Sequence, residues 1–196
     1  SIRSRDLLMS QKELGLDVLA VTSPFQTGTE PIEVYNRIRY IRTSLNKSGS
    51  ISDEPKSIWR RIIRFWAMLP FYFRLSKIIK KERPDIVHAH AMFFCGLPAI
   101  LLGRKHDIPV VYEVRSLWML RKASADNPSG MGRVEQLLLK LEKWIMKRAG
   151  MVIVINQNLK DELVKYGISA EKIKVVKNAV NTTLIKQLRQ ESNDLV

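Results

Sequence analysis

The chain has 196 residues, 45% of them hydrophobic, enough for a packed domain that needs neither disulfides nor structural metal. Lys and Arg outnumber Asp and Glu by 33 to 19, a formal charge of +14, so the surface attracts something anionic: nucleic acid, an acidic bilayer or phosphorylated substrates. The single cysteine, Cys95, excludes an internal disulfide and fits a reducing compartment, and no run of about 18 uncharged apolar residues offers a membrane-spanning helix.

Residues 1–14 predict a helix, with Leu7, Leu8, Gln11 and Leu14 at helical spacing and Gly15 as its stop signal. Residues 17–22 predict a strand, followed by a loop carrying Pro24, Gly28 and Pro31. Residues 32–41 predict one edge strand, in which Tyr35, Arg37 and Arg39 alternate with aliphatics. A polar Ser/Gly-rich loop spans 46–55. Residues 56–83 hold nine Lys or Arg against one acid, Glu82, interleaved with Trp, Phe and Ile at helical spacing. Pro70 is expected to kink or break this helix. It is either a helix packed on the sheet with a solvated basic face, or one that touches an anionic bilayer. In the second case Trp59, Arg60, Arg64, Trp66 and Lys77 are the contact residues, Trp at the interface and Arg beside lipid phosphates.

Residues 84–118 read as one strand–helix–strand unit. Two short runs rich in β-branched residues, 86–90 and 110–114, flank an apolar stretch long enough for a crossover helix, which makes the strands parallel. Each run turns polar at its carboxyl end. Residues two apart share a strand face, so His88 pairs with His90 and Glu113 with Arg115. Ligands of open parallel sheets bind beyond those carboxyl ends, which makes this edge the expected site. The loop 119–132 is a candidate lid. Residues 133–148 predict an amphipathic helix with Val134, Leu137, Leu138, Leu141 and Ile145 inward. Strands follow at 151–155 and 173–176, with a helix between them capped by Asn156 or Asn158 and stopped at Gly167. The alternation predicts an α/β, doubly wound parallel sheet.

At HAH (88–90), YEVRSLW (112–118) and VVKNAVN (175–181), joined by RSR (3–5), VTSP (21–24) and GLPA (96–99), the chain resembles a known family. It is similar to the N-terminal, acceptor-side domain of retaining GT-B glycosyltransferases of family 4 (group 1), in the bacterial polysaccharide-associated branch. The likeness runs from Arg3 to Thr183. It implies a Rossmann-like domain over 1–181 and a linker or helical tail over 182–196 leading to a donor domain. It also implies that a first strand and a glycine-rich loop precede Ser1, so the isolated chain is expected to transfer no sugar. His90 and Arg115 are then the catalytic candidates; Arg5, His88, Glu113, Trp118 and Asn178 are the substrate-binding ones.

Many relatives carry His where Arg115 stands; Arg cannot act as a base there but can hold a phosphate or developing negative charge. Ala179 and Asn181 replace the usual Gly and Asp, and Met119 and Leu120 replace acids often found after the YEVR motif. The expected substrates are a nucleotide sugar and a glycan or lipid-linked acceptor, with no metal and no other cofactor, at the cytoplasmic side and peripheral to the membrane. No nucleic-acid partner is expected. The alternatives are a sugar-nucleotide epimerase of the same architecture, or a basic module binding nucleic acid or membrane.

Overall fold

The computed structural model describes residues 2–26, 30–43, 66–90, 92–115 and 133–178. Trp59, Arg60, Arg64, Trp118, the loop 119–132 and the tail 182–196 lie outside them. Helix α1 (Ile2–Glu13) ends before Gly15, whose φ of +85° is left-handed and costs glycine nothing. Strand β1 (Leu19–Val21) follows.

The single edge strand expected at 32–41 is instead a hairpin of β2 (Ile32–Tyr35) and β3 (Ile38–Ile41). Asn36 and Arg37 have φ of 49° and 62°, and positive values at both central residues define the two-residue turn whose twist matches antiparallel strands. Asn36 is the turn signal in the sequence; Arg37, where glycine is usual, conceals it. β3 also pairs with β1 in parallel, giving a three-stranded sheet in the order β1-β3-β2.

Of the helix expected over 56–83, residues 56–65 lie outside the described residues; helix α2 (Met68–Glu82) starts after a turn at Ala67, so Pro70 sits in its first turn, where a missing N–H has no intrahelical acceptor to lose. Met68, Phe71, Leu75 and Ile79 point inward; Phe71, Leu75 and Ile79 pack with Leu102, Val21 and Val87.

The second sheet is wholly parallel, in the order β4 (Val87–His90), β5 (Val110–Val114), β6 (Met151–Val154), β7 (Ile173–Val175). Its crossovers are α3 (Phe93–His106), α4 (Arg133–Arg148) and α5 (Gln157–Lys165). Because the strands succeed one another in one direction, right-handed crossovers put these three helices on one face. That face carries Tyr112, Val114, Val152 and Val154, packed with Ile145, Met146 and Leu163. α3 can approach so closely because of its glycines: a Cβ on Gly96 would stand 2.7 Å from the Tyr112 ring, and one on Gly103 2.4 Å from the Val110 side chain. Asn156 caps α5 by accepting from the Leu159 amide at 2.8 Å.

On α4, Leu138, Leu141 and Ile145 face inward as expected, but Val134 and Leu137 are exposed. The buried face is centred on Ile145 and Met146 in the C-terminal half, so the first turns lie off the core. Glu142 is buried there too, tolerated because the Tyr112 hydroxyl donates to its Oε1 at 3.3 Å.

Candidate active site

β4 and β5 lie in register with His90 opposite Glu113, so parity gathers His88, His90, Glu113 and Arg115 on the face away from α3 and α4. Glu113 is only 1% exposed, and everything around it is organised by its carboxylate. His90 Nδ1 lies 2.8 Å from Oε2, and His88 Nε2 lies 3.4 Å from the same oxygen. Arg115 donates from Nε to Oε1 at 3.1 Å and from Nη2 to Ser4 Oγ, on α1, at 2.8 Å. The two imidazoles are stacked, centroids 4.1 Å apart and tilted by 31°.

Burial, aided by the nearby His88 and Arg115, outweighs the attraction of the Glu113 carboxylate and holds His90 below the ordinary histidine range. His90 is therefore neutral at pH 7. With its proton on Nδ1, 2.8 Å from the Glu113 carboxylate, this imidazole keeps a lone pair on Nε2. Such an imidazole can accept a hydrogen bond or a proton from a sugar hydroxyl. Arg115 contributes a fixed positive charge beside it. The His88, His90 and Glu113 donor atoms all lie within 4.8 Å of one another, a spacing that suits a cation. A divalent ion there would meet the Arg115 guanidinium, whose Nη2 is 3.2 Å from His90 Nδ1, as a like charge.

The rim around these residues is built by neighbouring loops. After β1, Phe25 stacks edge-on against Phe94 of α3 with centroids 5.0 Å apart, and Thr43 donates to the Thr22 carbonyl at 2.8 Å. Arg5 donates to Asp6 at 3.0 Å rather than reaching the cluster; its neighbour Ser4 is the α1 residue that joins it. The sequence offered one signal for Ser4, its place between the two arginines of RSR. Asn178 is exposed beyond β7, at the same sheet edge but two strands from β5. Trp66 and Lys77, both exposed, lie on or just before α2 and outside this cluster.

A model of glycosyltransferase family 4 matches residues 4–184. The chain belongs to that family. Among solved structures, this family 4 domain superposes on part of a sucrose-phosphate synthase from Thermosynechococcus elongatus with a TM-score of 0.65 at 17% identity, covering 99% of this chain and 94% of that one. Glycyrrhiza uralensis UGT73P12, complexed with glycyrrhetinic acid 3-O-monoglucuronide, gives a TM-score of 0.53 at 10% identity over 91% of this chain and 46% of that one. A UDP-GlcNAc 2-epimerase from Methanocaldococcus jannaschii gives 0.41 at 18% identity over 71% and 31%. A comparison with curated proteins finds no significant match. The four-stranded parallel sheet with flanking helices is the Rossmann-like lobe of a GT-B fold. Among the described residues, no helix is long and apolar enough to cross a membrane.

Proposed function

We propose that this domain forms the acceptor side of a retaining glycosyltransferase that moves a sugar from a nucleotide-sugar donor to a glycan or lipid-linked acceptor in polysaccharide biosynthesis, at the cytoplasmic side. The observation that carries the reading is the His90–Glu113–Arg115 constellation at the carboxyl edge of a parallel sheet in a family 4 domain. Transfer passes through an oxocarbenium-like state while negative charge builds on the departing diphosphate. His90 Nε2 orients the acceptor hydroxyl, and Arg115 offers positive charge to the developing anion. Glu113 positions both, through separate oxygens. His88 supports the same carboxylate, while Asn178 and Arg5 belong to the outer substrate walls.

The donor side of the cleft is a second lobe. The reading predicts that the isolated chain gives no turnover, whereas the two-lobed enzyme, supplied with nucleotide sugars and membrane glycolipid extract, forms a glycosylated product. The anomeric configuration of that product, read by NMR, matches the donor's. A C2-epimerised sugar nucleotide formed without acceptor would overturn the transferase reading in favour of an epimerase.

A further inference from the structure

The outer face of α2 carries a feature that the sugar-transfer reading leaves unused. Trp66, Leu69 and Phe73 are 70%, 52% and 57% exposed, three large apolar side chains turned to solvent at spacings of three and four. At 3.6 residues per turn they form one stripe, and Lys77 and Lys80, both exposed, continue it. Met68, Phe71, Leu75 and Ile79 occupy the opposite side and are buried, so the stripe is surplus to the core. Arg74 and Lys81, also exposed, flank it. The one acid in the helix, Glu82, is taken up by Arg39 of β3 at 2.8 Å and does not offset these cations.

We propose that this face of α2 docks on an anionic phospholipid bilayer, with Trp66, Leu69 and Phe73 seated at the acyl boundary and Arg74, Lys77, Lys80 and Lys81 against lipid phosphates. The apolar residues lie just before and within the first two turns and, Arg74 apart, the cations in the last two, so the helix enters by its N-terminal end and is held by charge along the rest. Its orientation makes the surface useful. A link as short as 83–86 between α2 and β4 favours an antiparallel course, and we place the Trp66 end toward His90 and the carboxyl edges of β4 and β5. A glycolipid head group rising from the bilayer meets the site without the acceptor leaving the surface. The docking face stands on the geometry of α2 and does not depend on the sugar-transfer reading.

Vesicle co-sedimentation of the 196-residue chain tests it, with phosphatidylcholine vesicles containing phosphatidylglycerol against phosphatidylcholine alone. The expected result is retention on anionic vesicles that W66A/F73A and K77E/K80E each weaken by about tenfold, with circular dichroism melts unchanged. These positions are exposed, so folding survives both pairs. Equal retention on neutral and anionic vesicles would overturn the electrostatic half. Unchanged binding by W66A/F73A would overturn the docking face itself. Tighter, salt-dependent binding to single-stranded RNA, lost in K77E/K80E and kept in W66A/F73A, would reassign the cations to nucleic acid.

Discussion

Glu113 meets Arg115 with one carboxylate oxygen and His90 with the other, so removing its charge while keeping its shape separates its two jobs. In Glu113→Gln the guanidinium loses a partly buried counter-charge, and we expect a stability loss of about 3 kcal/mol in thermal melts. His90 loses the interaction that raises its pKa, while burial and Arg115, which lower it, remain. Its protonation therefore moves to still lower pH. If neutral His90 is the form that receives the acceptor hydroxyl, activity rises with pH through the His90 pKa. The acidic limb of kcat/KM in the two-lobed enzyme then shifts to lower pH in the variant, while the plateau falls about a hundredfold because the imidazole is no longer oriented. An acidic limb that stays in place would show that His90 is not the titrating group. That His88 shares a strand face with His90, and Glu113 with Arg115, was readable in advance because strand parity is local, whereas the register that sets His90 opposite Glu113 was not. Ser4 was not, since its contact with Arg115 spans 111 positions and depends on how α1 lies across the sheet.

At the scale of elements, the joint between α4 and β5 holds a carboxyl that helical periodicity could not assign. Glu142 sits beside Ile145 and Met146 in the inward face of α4 and accepts a hydrogen bond from the Tyr112 hydroxyl. Burial pushes its pKa above the ordinary carboxylate range, against the hydrogen bond from Tyr112, which lowers it. The folded state thus holds this proton after the unfolded state has released it. Stability therefore falls as pH rises from the unfolded value near 4.5 to the higher folded one. Gln keeps the oxygen that accepts from Tyr112 and removes the ionisation. Glu142→Gln should be more stable than the parent at pH 7, by about 1–2 kcal/mol, with the pH dependence of Tm flattened across that window. A variant less stable at neutral pH would mean that the carboxylate is ionised and satisfied in the core. The parallel strands themselves were legible as short β-branched runs. The β2–β3 hairpin was not, because Arg37 occupies a left-handed position that side chains seldom take. Val134 and Leu137 followed the helical period yet lie exposed, since periodicity marks an apolar stripe without saying how much of it the sheet covers.

For the molecule as a whole, the formal charge of +14 and the placement of the α2 face make one joint prediction about kinetics. Charges across a surface attract a bilayer only within a screening length, about 8 Å at physiological ionic strength and about 3 Å at 1 M. Contacts inside the His90–Glu113–Arg115 cluster are far shorter and partly buried, so salt weakens them much less. Ionic strength should therefore separate surface capture from chemistry. With acceptor presented in anionic vesicles, raising salt from about 0.05 M to about 0.5 M is expected to lower kcat/KM by about tenfold through weaker capture, with kcat at saturating lipid little changed. With a short-chain acceptor free in solution, the same change of salt should move kcat/KM by less than about twofold. Equal salt slopes for the two acceptors would place the excess charge on the path of the anionic nucleotide sugar, which is common to both assays. A slope for the vesicle acceptor that disappears in K77E/K80E, while the soluble reaction is untouched, would tie it to α2 and to no other part of the basic surface.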